Sequence, residues 1–393
     1  MLLVEHGTVY TPTQAIADGA VLVNGRQIEA VGKRSELAVP PGTQHIDAHG
    51  GSIAPGFINL HVHGVAGHNA GDTNVDNLHM IASLFAGHGV TCFLLGVGPA
   101  PLPAMLASLQ ASRQARATQK EGAEILGVHL EGPYLNAAER GAMLPELLRA
   151  ALPDEYNAWL EYADIIKEVT VAPEVPGVVE LTAELKRRGI LVSAGHSIAI
   201  DEELSRAADA GLSHATHMFC NMGTLRRVNI RRVAGLVESV LLDDRLTIEL
   251  ITDGYHIAPS LMKLGLKVKG RERTAIITDG SRLTGMPPGV YTSASGRQTI
   301  VEERITYVAD RSAYAGSVAT MDQCLRVAIK SMDLSLADGL RMASLTPATI
   351  IGVADHKGSL EPGKDADIVI LDGDLHVAQT IVGGKVARAL EPA

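Results

Sequence analysis

Two histidines one residue apart, His61 and His63, close an apolar run that reads Ala54-Pro-Gly-Phe-Ile-Asn-Leu-His-Val-His-Gly64. Side chains alternate along an extended chain, so both imidazoles lie on one face. At a strand end such a pair is a pincer for one metal ion, because neutral imidazole nitrogen is a preferred ligand of zinc and its neighbours. The pair alone says little, since the chain holds 15 histidines and a histidine is more often a surface or core residue than a ligand. More candidates recur after other apolar runs: His129-Leu-Glu131-Gly-Pro, Ala194-Gly-His196-Ser, Ala215-Thr-His217, Thr252-Asp-Gly-Tyr-His256 and Thr278-Asp279-Gly.

Each position has a plainer role to weigh against ligation. His61 and His63 as a satisfied polar pair would need partners on both ring edges at a buried strand end; ligation is the better reading. Glu131 follows mostly apolar residues and precedes Gly-Pro, where burying an unpaired carboxylate is costly and a cation would resolve the cost. His196 lies between Gly195 and Ser197, where it would otherwise cap the next helical region. His214 and His217, three apart on an extended segment, face opposite ways, so only one is expected to ligate. His129 and His214 are read as structural. Asp279 is suited to touch the metal and to accept a proton from water that the cation has made acidic; its plainer role is a turn residue before Gly280.

The elements that must carry these groups read as strands alternating with helices. Apolar runs begin at Phe57, Val90, Ile125, Ile166, Ile190, Leu212, Leu246 and Thr274, and between them lie segments such as Asp201 to Gly211, acidic at its start and closed by glycine. Eight such units predict an α/β fold, a (β/α)8 barrel of the TIM type over residues 53–354. In that fold functional side chains follow the strands, at the C-terminal mouth, which is where these groups stand. Residues 1–52 and 355–393 are instead rich in short β-type runs and turns, Asn24-Gly25 among them. Neither end has enough strand to bury a face alone, so the two are expected to pair into one small β-sandwich domain.

Composition narrows the function. The 393 residues carry a formal net charge of −10, which argues against nucleic-acid binding. Three cysteines without CxxC spacing indicate neither a disulfide framework nor a zinc ribbon and suit a reducing cytoplasm. The sequence shows no leader and no long uncharged apolar stretch, so no membrane association is expected.

Together these motifs resemble the amidohydrolase superfamily and, within it, the N-acetylglucosamine-6-phosphate deacetylase branch. The resemblance spans nearly the whole chain, with Val171-Ala-Pro-Glu, Ala315-Gly-Ser and the closing Gly358-Ser-Leu-Glu-Pro-Gly-Lys added to the runs above. It implies that Glu131, His196 and His217 hold a principal metal and that His61 and His63 hold a second. It also implies Asp279 as acid/base, His256 and Asn221 at the substrate, and a homodimer. The expected cofactor is a divalent ion, zinc foremost, one or two per subunit. Two stretches depart from the branch. Met143 stands where a carbonyl-polarising histidine is usual, and a thioether cannot donate that hydrogen bond. The run from His217 to Arg232 lacks the usual phosphate-binding pattern; Arg226, Arg227, Arg231 and Arg232 fit an anion site and equally a solvated or subunit-facing loop.

The expected reaction is metal-dependent hydrolysis of an amide, removal of an N-acetyl group from an amino sugar such as N-acetylglucosamine 6-phosphate. The alternatives are a deaminase, cyclic amidase or N-acyl amino-acid deacylase on the same metal set, a noncatalytic barrel scaffold, or a closed structural metal site, which would leave no open water position.

Overall fold

A computed structural model describes residues 1–293 and 296–387. Its central sheet holds eight parallel strands, numbered here β1 (Phe57–Asn59), β2 (Val90–Val97), β3 (Glu124–Glu131), β4 (Ile166–Val171), β5 (Leu191–Ala194), β6 (His214–Ala215), β7 (Thr247–Ile251) and β8 (Thr274–Ile277). They neighbour one another in chain order, as right-handed βα units require. The expected eight apolar runs are these eight strands. All eight residues of β2 are buried, the mark of a parallel strand covered by helices on one side and by the barrel interior on the other.

The barrel closes just beyond β1 and β8. The Asp279 N–H donates to the His61 carbonyl at 3.1 Å and the His63 N–H donates to the Gly280 carbonyl at 2.7 Å. Two candidate ligand segments therefore form the seam themselves. Helices separate the strands, and the predicted one runs Asp201–Ala210 before Gly211 at φ 129°. Glu203 accepts the Ile200 N–H at 2.9 Å, capping that helix as its early acids suggested.

The two chain ends do pair. Leu2–Tyr10, Ala15–Asn24, Gln27–Lys33, Gln44–Asp47 and Ser52–Pro55 share one eight-stranded sheet with Ile368–Leu371, Val377–Val382 and Lys385–Val386. Ser52–Pro55 runs antiparallel to Ile368–Leu371, so the sheet is completed across the full length of the chain. Residues 388–393 of the expected end domain lie outside the described residues. Lys357, 1% exposed, ties this domain to the barrel through Asp365 at 2.8 Å, Asp367 at 2.9 Å and Glu124 of β3 at 3.0 Å. One further element was not expected: an antiparallel sheet of Gly289–Thr292, Gln298–Glu302, Ile305–Val308 and Tyr314–Ser317, inserted after β8. Among the described residues no helix is long and apolar enough to cross a membrane.

Candidate metal centre

The side chains of His61, His63, Glu131, His196, His217 and Asp279 meet at the C-terminal mouth of the barrel. His61 and His63 follow β1, Glu131 ends β3, His196 follows β5, His217 follows β6 and Asp279 follows β8. His196, His217 and Asp279 hold left-handed backbone angles, φ 47°, 31° and 46°. Strain of this kind persists where the surroundings over-determine it, commonly at functional sites.

Glu131 is the hub. Its Oε1 lies 3.1 Å from both His196 Nε2 and His217 Nε2 and 3.4 Å from His61 Nε2, while its Oε2 lies 3.2 Å from His63 Nε2. Asp279 Oδ1 stands 3.5 Å from His63 Nε2 and 3.6 Å from His61 Nε2. Burial alone would raise the Glu131 carboxyl, but the imidazoles around it hold it well below the usual range, so it stays ionised.

The far ring nitrogens bear on what the centre could hold. His63 Nδ1 faces the Gly96 carbonyl at 3.3 Å and His196 Nδ1 faces the Glu139 carbonyl at 2.7 Å. A carbonyl only accepts, so in the neutral imidazole both Nδ1 atoms carry the proton and both Nε2 atoms present lone pairs. Yet His196 Nε2 is 3.0 Å from His217 Nε2, and His63 Nε2 is 3.2 Å from His61 Nε2. Lone pairs crowded around a carboxylate fit a divalent cation, and His/carboxylate sets are ordinary ligands for zinc and neighbouring ions.

Beside the cluster opens a cavity of about 770 Å³, lined in part by His63, Glu131, His196, His217 and Asp279. Met143, Asn221 and His256 also line it. His256 Nδ1 lies 2.7 Å from Asp253 Oδ2. Burial works to lower this imidazole, but the Asp253 carboxylate prevails and raises it. Arg226 and Arg227 do not join them. They sit on a hairpin, Arg226–Val228 against Arg231–Val233, away from the cavity lining of their own chain.

Four features were not anticipated. Arg282, just past Asp279, and Arg297, on the inserted sheet, line the cavity. Below the cluster, Glu168 on β4 and Glu249 on β7 are fully buried inside the barrel. Burial, and then the nearby Glu249, push the Glu168 carboxyl up to about 7. The two histidines read as structural do face this inner layer: His129 Nε2 bonds Thr170 Oγ1 at 2.7 Å and His214 Nδ1 bonds Thr247 Oγ1 at 2.6 Å. Burial, with His61 nearby, lowers His129 to about 3, leaving it neutral.

Comparison with known proteins agrees with this geometry. Residues 52–387 match the profile of the family described as Amidohydrolase family. An N-acetylglucosamine-6-phosphate deacetylase of Bacillus subtilis is 33% identical over 98% of this chain and 97% of its own length. An N-acetylgalactosamine-6-phosphate deacetylase of Escherichia coli is also 33% identical, over 98% and 97%. Among solved structures, an N-acetylglucosamine-6-phosphate deacetylase of Pasteurella multocida superposes with a TM-score of 0.91 at 28% identity, covering 98% of this chain and 99% of that one.

Proposed function

The chain belongs to the amidohydrolase family, and we propose that it hydrolyses the N-acetyl amide of an amino sugar 6-phosphate, N-acetylglucosamine 6-phosphate or a close relative. The observation that carries this reading is the convergence of four Nε2 atoms and two carboxylates beside an open cavity. An open cavity at the ligands suits a catalytic centre better than a closed structural one. The two relatives above act on sugar epimers, so the choice of hexosamine is left to experiment.

Bound among these residues, a divalent ion, zinc foremost, supplies positive charge for a polarised carbonyl oxygen and acidifies water near neutral pH. Glu131, His196 and His217, with both imidazoles 3.1 Å from one carboxylate oxygen, would form one set of ligands; His61, His63 and Asp279 would form a second around the same carboxylate. Asp279 takes the proton of the attacking water and returns it to nitrogen as the C–N bond breaks, releasing acetate and the free amine. His256, oriented by Asp253, directs its remaining ring nitrogen to a substrate oxygen. Met143 at the cavity wall has no proton to donate to the acetyl carbonyl, which favours occupancy of both metal positions.

An anionic substituent has partners within this chain. Arg282 Nη2 is buried and unbonded among the described residues, and the guanidinium matches phosphate geometry. The hairpin at 226–233 carries Ile230, 87% exposed, and follows Leu225, 55% exposed, apolar surface suited to the contact of a homodimer. The cysteines Cys92, Cys220 and Cys324 are free, which suits a reducing cytoplasm, where we place the enzyme. A panel of N-acetyl amino sugars with and without 6-phosphate, run beside N-acyl amino acids, tests the reading. Acetate release from the phosphorylated sugars is expected; turnover confined to amino-acid derivatives would overturn it.

A further inference from the structure

The inner layer of a barrel of this type is ordinarily filled by branched aliphatic side chains. Here the layer beneath the ligand cluster carries Glu168, Ser193, His214 and Glu249, each 0% exposed. Taking two carboxylates wholly out of water is costly unless they are paired and hydrogen-bonded, so their contacts show what the layer is for. Glu249 Oε2 lies 3.3 Å from His61 Nδ1 and 3.3 Å from the His217 backbone nitrogen. Its Oε1 lies 3.5 Å from His214 Nε2, and His214 is in turn anchored on Thr247 Oγ1 at 2.6 Å.

The ligand histidines differ in what grips their far nitrogen. His63 and His196 rest on backbone carbonyls. Among the described residues only His61 rests on a carboxylate, and His217 Nδ1 has no partner at all. One buried side chain thus reaches two ligand segments, one after β1 and one after β6. We propose that Glu249 is a positioning residue for the metal centre: it accepts the Nδ1 proton of His61, which turns the Nε2 lone pair toward the ion, and it fixes the backbone on which His217 stands. A carboxylate behind a ligand imidazole also raises the basicity of that ligand. His214 and Glu168 each bring a ligand atom within 4.8 Å of Glu249.

This inference rests on the centre binding metal, yet its readouts need no substrate. In Glu249→Gln, metal affinity read by chelator competition should fall about 10- to 100-fold. The visible absorption of the cobalt-substituted protein should change, while Glu249→Asp should recover part of the affinity. Glu168→Gln should keep the wild-type metal stoichiometry. Unchanged affinity and an unchanged cobalt spectrum in Glu249→Gln would overturn the proposal. So would loss of one metal equivalent in Glu168→Gln, which would make Glu168, His214 and Glu249 a cation site of their own. Should Glu249→Gln fail to fold, nitrogen NMR of the imidazoles in the wild-type protein decides, with His61→Gln providing the assignment. An Nδ1–H tautomer at His61 is expected, and an Nε2–H tautomer would refute it. Tight metal binding without acetate release would sink the proposed function and leave this inference standing.

Discussion

Replacing Asp279 by asparagine separates proton transfer from everything else this residue does. The change keeps side-chain volume and one oxygen in place, and the backbone is pinned independently: its N–H donates to the His61 carbonyl at 3.1 Å and its carbonyl accepts the Ser317 N–H at 2.8 Å. Five other ligand side chains remain around the ion, with Glu131 touching all four imidazoles. What is lost is the capacity to take a proton from water and give it to the leaving nitrogen. General acid–base catalysis contributes about 10²- to 10⁴-fold, which at about 1.4 kcal/mol per tenfold corresponds to about 3 to 5 kcal/mol of transition-state stabilisation. In Asp279→Asn, kcat for acetate release should fall by that factor, KM should stay within about threefold and metal content should match wild type. A kcat within threefold of wild type would refute the acid/base assignment. Loss of metal in parallel with activity would show that Asp279 acts chiefly as a ligand and not through proton transfer.

Other outcomes follow from the same contacts. Lys357→Met leaves Asp365, Asp367 and Glu124 facing one another at a buried junction. Breaking a buried ion pair costs about 3 to 5 kcal/mol, and at about 2.1 cal/mol/K per residue a chain of 393 residues should lose about 5 °C in Tm. Burial would lower the Lys357 pKa, but Asp367 and its neighbours raise it. Its stabilisation is therefore complete below the unfolded value of about 10.4 and is lost as pH rises through the higher folded value. The Tm gap between wild type and Lys357→Met should stay constant from pH 7 to 9 and narrow only above about 10.5; a gap that closes near neutrality would contradict the ion-pair account. Arg282→Met should raise KM for a 6-phosphorylated sugar about tenfold, on the scale of one charge-assisted hydrogen bond, and leave the unphosphorylated sugar unaffected. Equal effects on both substrates would remove Arg282 from the anion site.

The barrel was legible because six of its eight strands are short apolar runs that lead into a polar, chemistry-bearing residue, as at Leu60-His61 or Leu130-Glu131. Burial supplies the apolar run, and the open mouth supplies the polar end. Glu131 drew notice as a carboxylate after apolar residues, and the same reasoning applies to Glu249 within Thr247-Ile-Glu-Leu-Ile. Without a glycine or turn beside it to mark a strand end, it read as strand interior, where only three-dimensional neighbours reveal its partner. The inserted sheet at 289–317 escaped notice because its strands are short, mixed in polarity and only partly buried, so no hydrophobic period marks them. Arg282 and Arg297 were missed with it, since their place at the cavity depends on how the chain returns over the mouth. The arginines at 226–232 attracted attention as multi-donor cations in the stretch where the resemblance expects a phosphate-binding pattern, and neither signal says which way a hairpin points.

The central claim is that the six side chains at the barrel mouth form a metal centre that drives amide hydrolysis. Metal analysis coupled to activity tests it most directly: the purified protein is assayed for bound ions, stripped with a chelator, assayed for acetate release from N-acetylglucosamine 6-phosphate, and reloaded with zinc. One or two ions per chain, loss of turnover on stripping and recovery on reloading are predicted. Full turnover by the metal-free protein would contradict the account.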